Sequence, residues 1–242
     1  MTKHARAELT DPTTLRVGIN LGNPLLVTGT SPTGDPEGVA PDMAAAIAQL
    51  LGVAVSYVTF ATPGEVADAL ERDDWDIGLI AVEPARAEKI AFSNAYVEIE
   101  ATYLVPANSP FQSIEGVDRP GTRIAVADRA AYDLYLSRTL KHAELCRAKG
   151  IAGSFDLFVA EKLDALAGLV PALKESAETL PGSRVLDGRF TSVLQAIGTK
   201  PQNTGLRTIV EKFVQEAQET GLVAQLIKAH GVEGKLRPTS RS

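Results

Sequence analysis

The sequence predicts an α/β fold in which two doubly wound units are joined by two crossings of the chain. Segments of strand and helix character alternate through residues 15–82 in the order β-α-β-α-β, which is typical of a parallel sheet with crossover helices. A second set of such segments begins at residue 123, and a strongly helical part follows at 205–230. With 242 residues, of which 45% are apolar, the chain can build a core in each unit.

Three strands and two helices account for the first set. Residues 15–21 (LRVGINL) form a β-rich run that ends at a turn, and residues 53–60 form a second strand. Residues 41–52 begin with Pro, end with Gly and carry Ala and Leu at helical spacing, which predicts a helix. A second helix is expected at 63–71. Residues 75–82 (WDIGLIAV) are apolar without alternation, as expected of a strand buried on both faces.

The second set contains fewer regular patterns. Residues 123–127 predict a strand, and residues 130–149 predict a helix that carries Cys146. A further helix is expected near 171–180. The remaining predicted strands are 154–159, 163–169 and 184–186, and the crossings run through 96–105 and 190–197.

Composition and charge exclude several classes of function. The net charge is -6 and the basic residues are scattered, so nucleic acid is not an expected partner. The single cysteine permits no intramolecular disulfide, and His4, His142 and His230 have no ligand spacing, so neither a metal nor a cofactor is predicted. The sequence also lacks the motifs of phosphate-binding loops, serine hydrolases and zinc proteases.

The N-terminal residues 1–20 contain no apolar stretch of the kind that an exported precursor carries, and no run approaches the length of a membrane span. As the chain is written, a soluble cytoplasmic protein is therefore expected. A periplasmic location is expected instead if a signal sequence has been removed.

Five segments, taken in order, resemble the solute-binding protein family 3, the amino-acid-binding type of periplasmic binding protein. They are LRVGIN, GVAPDMAAAIAQLLGV, WDIGLIAVEPARAEKIAFSNAYV, SPFQSIEGVDRPGTRIAVA and LDALAGLVPAL, and the resemblance runs from about residue 15 to 232. It implies a two-lobed type II fold with two hinge strands that closes over a ligand. Lobe 1 would comprise 13–103 and 192–242, and lobe 2 would comprise 104–191, with 1–12 as an N-terminal extension.

The resemblance assigns the carboxylate of the ligand to Arg86, in AVEPARAEKI directly after the buried strand. A guanidinium presents parallel donors that match the two oxygens of a carboxylate. The alternative is an exposed arginine that pairs with Glu83 or Glu88 at a helix start. Ala81 ends the strand and is included in the predicted site.

The first lobe also departs from the family pattern. Two residues are missing after the buried strand, so Glu83 stands where the family has threonine; its carboxylate would bind a ligand cation or pair with Arg86. The loop after the first strand reads NLGNPLL, with Asn20 and Asn23 in place of aromatic residues. These asparagines would contact the ligand or serve the turn beside Gly22 and Pro24.

The second lobe departs further. Asp128 and Arg129 replace the usual small hydroxyl residues at a helix start, where Arg129 would help to bind an anion or remain a surface residue. No acid lies near 168–169, where the family aspartate holds the ligand's ammonium group. Glu98 and Glu100 would either replace this aspartate or be exposed at alternate positions of a strand. Gln195, near the return crossing, would also face the ligand.

The predicted function is binding of a small carboxylate-bearing solute in the interlobe cleft, by a monomer that serves an ABC transporter permease. Two alternatives remain open. One is a cytoplasmic ligand sensor of the same fold. The other is a lyase resembling cyclohexadienyl dehydratase that uses cleft carboxylates as acid and base.

Overall fold

The computed structural model describes residues 2–239 as a mixed α/β protein. Its first elements are α1 (Thr2–Ala7), β1 (Thr14–Asn20), β2 (Gly29–Thr30), β3 (Pro36–Glu37), α2 (Val39–Leu51), β4 (Ala54–Phe60), α3 (Pro63–Ala69) and β5 (Ile77–Ala81). Next come α4 (Pro84–Ala87), β6 (Ala91–Phe92), β7 (Val97–Val105), β8 (Arg123–Ala127), α5 (Ala131–Thr139), β9 (Glu144–Ala148) and α6 (Gly150–Ala160). The last are β10 (Ala165–Leu169), α7 (Val170–Thr179), β11 (Arg184–Val185), β12 (Thr191–Thr199), α8 (Thr204–Glu219), α9 (Leu222–Ala229) and β13 (Arg237–Pro238).

The chain divides into two compact units. Unit 1 comprises Met1–Glu98 and Leu194–Ser242, and unit 2 comprises Ile99–Val193. The chain passes from one unit to the other within β7 and returns within β12. The segment 1–12 contains α1, which packs against α8 in unit 1 and buries Ala5 completely.

The sheet of unit 1 has β1 at its centre, with β4 and β5 parallel to it on either side. β12 adds to β5 in the antiparallel direction, with Gln195 opposite Ala81. Every residue of β5 is buried, as its unbroken apolar sequence predicts for a strand inside a parallel sheet. The carboxyl ends of β1, β4 and β5 therefore meet at one edge of this sheet.

Beneath this sheet lies Trp75, whose side chain is fully buried. Its Nε1 donates a hydrogen bond of 2.9 Å to the carbonyl oxygen of Val66. Gly18 of β1 pairs with Gly78 of β5, and both face the indole. A Cβ on Gly18 would lie 2.7 Å from Cδ1 of Trp75, and one on Gly78 would lie 3.1 Å from Cζ2. The two glycines thus let the indole pack directly on the backbone.

In unit 1 the helices predicted at 41–52 and 63–71 are confirmed as α2 and α3, whereas α1 and α4 were not predicted. α2 ends at Gly52, which takes the left-handed conformation (φ 66°) that glycine adopts without steric penalty. The helical part predicted over 205–230 is confirmed, but it consists of two helices, α8 and α9, and not of one. Gly221, with φ 75°, lies between them, and its left-handed backbone cannot continue a right-handed helix.

In unit 2 the sheet order is β7-β10-β8-β9. β10 and β8 are parallel, as are β8 and β9, whereas β10 and β7 are antiparallel. β11 also pairs with β7. The predicted strand 123–127 is confirmed as β8, and the predicted helix near 171–180 is confirmed as α7.

Two predictions for unit 2 are wrong. The helix predicted over 130–149 ends at Thr139, because Asp118 accepts hydrogen bonds from the backbone N–H groups of 141–143 and holds them in a loop. Cys146 consequently lies on β9. The predicted strand 154–159 belongs to α6, where Phe155 and Phe158 lie one helical turn apart and both pack in the core of the unit. A short apolar run of this kind fits either a strand or a buried helix.

Within residues 2–239, no helix combines the length and the apolar character that crossing a membrane requires.

Candidate ligand-binding site

Three of the predicted ligand-binding residues lie at the carboxyl edge of the unit 1 sheet. Asn20 is the last residue of β1 and Ala81 is the last residue of β5. Because Ile19 is in register with Leu79, the ends of these two parallel strands lie side by side. Gln195 of β12 is opposite Ala81 and is only 6% exposed.

Arg86 lies in the short helix α4 directly beyond this edge. Its side chain is 6% exposed, and its Nη1 donates a hydrogen bond of 2.8 Å to the carbonyl oxygen of Ala81. The alternative of an exposed arginine at the helix start is therefore wrong. A buried guanidinium is retained only where polar or charged groups compensate for its lost hydration. Arg86 is thus a buried charged residue at the edge where the strands of unit 1 end.

Glu83 stands at the start of the same helix. It is 2% exposed, and its Oε2 accepts a hydrogen bond of 2.9 Å from the backbone N–H of Ala85, as the N-cap residue of α4. A carboxylate suits this position because the first N–H groups of a helix lack partners within the helix. Pro84 follows it and supplies the fixed φ of a first helical residue. The local sequence thus accounts for the placement of Glu83 and of Arg86 in α4.

The two asparagines of the loop after β1 each close a turn. Oδ1 of Asn20 accepts a hydrogen bond of 3.0 Å from the N–H of Gly22, and Oδ1 of Asn23 accepts one of 3.1 Å from the N–H of Leu25. Both contacts span two residues, as expected of asparagine in a turn. The turns that the sequence suggested are therefore present. Because each Oδ1 is engaged in its turn, the side-chain NH₂ group is the part of each asparagine that would contact a solute.

Glu100, by contrast, lies in unit 2 and forms an ion pair. Its Oε1 is 2.5 Å from Nη1 of Arg189, and its side chain is 33% exposed. Glu98 and Glu100 are the partly exposed residues at alternate positions of β7, which is the ordinary alternation considered for them. The pairing with Arg189 joins residues far apart in sequence, and sequence reasoning did not identify it.

Arg129 precedes α5 and is exposed. Its backbone is left-handed (φ 57°), and its N–H donates a hydrogen bond of 2.8 Å to Oδ2 of Asp133. Asp133 is 1% exposed and also accepts from Nε of Arg147 at 3.0 Å. A carboxylate of the protein itself therefore lies at the start of α5, where it competes electrostatically with any external anion. Neither Asp133 nor Arg147 was singled out from the sequence.

The single cysteine has none of the features of a nucleophile. Cys146 is partly buried on β9, and burial raises the pKa of its thiol, which disfavours the nucleophilic thiolate. In the part of the chain that the structure describes, no three residues of the types His, Cys, Asp and Glu are grouped so that they could hold a metal ion.

Comparison with known proteins gives one family and a consistent fold. The sequence model of the bacterial extracellular solute-binding proteins, family 3, matches residues 15–233. No curated protein sequence shows a significant match to the chain.

Several solved structures superpose on almost the whole chain. A mutant of ArgBP from T. maritima has a TM-score of 0.77 at 21% identity and covers 95% of this chain and 100% of its own. The ancestral amino acid-binding protein AncCDT-1, a precursor of cyclohexadienyl dehydratase, has a TM-score of 0.76 at 22% identity, with 93% and 97% covered. AbpA from Streptococcus pneumoniae, bound to L-arginine, has a TM-score of 0.75 at 18% identity, with 90% and 94% covered. These similarities confirm the predicted fold class.

Proposed function

This chain belongs to the bacterial extracellular solute-binding proteins of family 3, and we propose that it binds a small carboxylate-bearing solute, either an amino acid or a related organic acid. The observation that carries the proposal is the buried guanidinium of Arg86 at the carboxyl edge of the unit 1 sheet. Open α/β sheets bind their ligands beyond the carboxyl ends of their strands.

The surroundings of Arg86 favour an anionic partner with a planar shape. Its contact with the carbonyl oxygen of Ala81 fixes the guanidinium relative to the end of β5. A guanidinium held in this way binds a carboxylate with little further loss of side-chain freedom. Gln195, opposite Ala81 in the sheet, has a side-chain amide that can donate and accept, and therefore suits the polar groups of an amino acid.

The fold relatives supply the first ligands to test. ArgBP was solved with arginine in two structures, and AbpA was solved bound to L-arginine. Their sequences are only about a fifth identical to this chain, so the likeness supports an amino-acid-type ligand as a class and no particular one.

A thermal-shift screen of amino acids, small dicarboxylates and polyamines tests this function. A ligand that binds only the native state at a hundred times its Kd stabilises the protein by about 2.7 kcal/mol, which raises the melting temperature measurably. We expect carboxylate-bearing compounds to shift the transition and polyamines without a carboxylate to leave it unchanged. Stabilisation by polyamines alone would contradict the proposal.

We further propose that the bound solute is delivered to an ABC transporter permease. This role places the protein in the periplasm, whereas a ligand sensor of the same fold would work in the cytoplasm. Fractionation of the native host separates these two alternatives. Co-purification of the loaded protein with a membrane permease would support the transport role, and recovery from the cytoplasm alone would contradict it.

A dehydratase-like lyase is the second candidate, favoured by the similarity to a precursor of cyclohexadienyl dehydratase. Acid–base catalysis would need carboxylates directed at the substrate. Glu83 caps α4 and Glu100 pairs with Arg189, so both of these carboxylates already have structural contacts. The geometry thus favours binding. Incubation of the protein with a cyclohexadienyl acid, followed by absorbance of an aromatic product, would reveal turnover.

A further inference from the structure

Unit 2 has an apolar groove that the proposed function does not use. Its volume is about 300 Å³, at the lower end of the range for pockets that hold small molecules. Most of its lining is apolar, and Lys162 is the one charged side chain among the described residues that line it. The lining residues used below are Pro106, Phe158, Val159, Lys162, Leu163 and Leu180.

The groove lies at the opposite edge of the unit 2 sheet from Arg129. Pro106 follows the end of β7, and Leu163 precedes β10, which runs antiparallel to β7. Arg129 follows the carboxyl end of β8, which is parallel to β10. The groove is therefore at the amino ends of β8 and β10, and no residue predicted for the solute site is among its lining residues.

Helix α6 forms part of the groove wall, and a lysine occupies the left-handed position at its C-terminus. The N–H of Leu163 donates a hydrogen bond of 3.0 Å to the carbonyl oxygen of Phe158. The N–H of Lys162 donates one of 3.4 Å to the carbonyl oxygen of Val159. This pair of contacts closes α6 with a Schellman motif in which Lys162 occupies the left-handed position, with φ 48°. Glycine is the residue that this position favours, so a lysine here carries a conformational cost.

The apolar side of the groove complements this cation. Val159 is 44% exposed, which is unusual for a large apolar side chain, and it lies beside the buried Phe158. Exposed apolar side chains next to a single cation match a molecule that has an apolar body and an anionic group. Glu161, next to Lys162, is exposed and is not among the lining residues.

We propose that this groove is a second binding site, for a small amphipathic carboxylate such as a medium-chain fatty acid. The hydrocarbon part lies against Phe158, Val159 and Leu180, and the carboxylate pairs with Nζ of Lys162. This site is independent of the amino-acid-type site in unit 1. It would allow the chain to respond to a second class of metabolite.

Isothermal titration calorimetry on the whole chain tests the proposal. Octanoate is the ligand, and octanol is the uncharged comparator. We expect octanoate to bind more tightly than octanol, and raised salt to weaken the binding of octanoate selectively. Lys162→Gly should weaken the binding of octanoate about fivefold, which is the upper range for an exposed ion pair, and should leave the affinity for octanol unchanged. Because glycine suits the left-handed position, this variant should melt no lower than the parent protein.

Two further variants complete the test. Val159→Asp places a negative charge in the groove and should abolish binding of octanoate. Lys174→Ala removes an exposed lysine of the same unit that does not line the groove, and it should change nothing. Any of three results would overturn the proposal. They are equal affinities for octanoate and octanol, unchanged binding of octanoate by Lys162→Gly, and no binding at millimolar octanoate. Binding of an amino acid to unit 1 should be the same in all three variants.

Discussion

Nη1 of Arg86 donates a hydrogen bond of 2.8 Å to the carbonyl oxygen of Ala81, and so connects α4 to the last residue of β5. This contact places a buried positive charge where the central strands of unit 1 end. The same residue is the one to which the family resemblance assigns the ligand's carboxylate. The first prediction tests whether the charge binds a solute or only supports the strand end.

Arg86→Ala should weaken binding of a carboxylate solute by about 2–5 kcal/mol, since it leaves the bound carboxylate without its charged partner. This corresponds to a loss of roughly thirty-fold to several thousand-fold in affinity. Arg86→Lys should recover only part, because an ammonium group cannot present a planar pair of donors. Calorimetry with the ligand found by the thermal-shift screen measures both variants.

Arg72→Ala is the matched control for this prediction. Arg72 is also an arginine of unit 1, but its side chain is 55% exposed and pairs with Asp74 on the surface. Its removal should leave the Kd unchanged. If Arg86→Ala were folded by circular dichroism and kept the parental Kd, Arg86 would be a structural residue.

Asp76→Ala should destabilise unit 1 by about 3–5 kcal/mol, because it breaks a buried ion pair. The carboxylate of Asp76 is fully buried and accepts hydrogen bonds from the backbone N–H of Arg16 and from its Nη2, both at 2.9 Å. Urea denaturation measures the loss. Asp74→Ala, which removes a partly exposed partner of Arg72, should cost less than about 1 kcal/mol. Equal effects of the two substitutions would contradict the assignment.

Acid should destabilise unit 2 partly through Asp118. Burial acts to raise the pKa of this carboxyl, but the backbone N–H groups of Ala143, Lys141 and His142 outweigh it, and the pKa lies below the usual value. A carboxyl whose pKa is lower in the folded state stabilises the protein above the unfolded pKa, which is about 3.9. That stabilisation is lost as the pH falls through the folded pKa.

Asp118→Asn should therefore be less stable than the parent protein near neutral pH, by less than about 1 kcal/mol, because Asp118 is partly exposed and solvent screens its charge. The difference should shrink as the pH is lowered below about 4, since the unfolded parent protein then binds a proton at Asp118 more readily than the folded one. Denaturant titrations at several pH values, followed by circular dichroism, measure both curves. A difference independent of pH would show that the charge of Asp118 is not what matters.

Gly18→Ala should destabilise the protein by about 1–3 kcal/mol, because the new methyl group would overlap the indole of Trp75. Gly153→Ala is the opposite case. Gly153 lies inside α6, and a Cβ there would be 3.6 Å from the side chain of Ala148, an ordinary contact. It should stabilise the helix by up to about 1 kcal/mol. Thermal melts of the two variants should therefore shift in opposite directions.

Local patterns were sufficient to predict much of the fold. The unbroken apolar run of β5, the Pro and Gly that bound α2, and the strand β8 were all apparent from neighbouring residues. The wrong helix over 130–149 had a distant cause, because its end is set by Asp118, more than twenty residues upstream of the loop that it holds. Contacts of this kind carry no local signal.

The candidate site was predictable to the same extent. Resemblance to the family located Arg86, and local turn chemistry accounted for Asn20 and Asn23. The ion pair of Glu100 with Arg189 joins residues 89 positions apart, and Asp133 at the start of α5 pairs with Arg147 from the following strand. Sequence reasoning treats charged residues one segment at a time, so partners that meet only in the folded sheet were missed.

Trp75 is the single tryptophan of the chain, and it is fully enclosed in unit 1. Its intrinsic fluorescence therefore reports the environment of one unit and is silent about the interior of the other. Far-ultraviolet dichroism, by contrast, follows the secondary structure of both. If the two signals change at different denaturant concentrations, the units unfold separately, and the natural chain already carries the label needed to measure how strongly their folding is coupled.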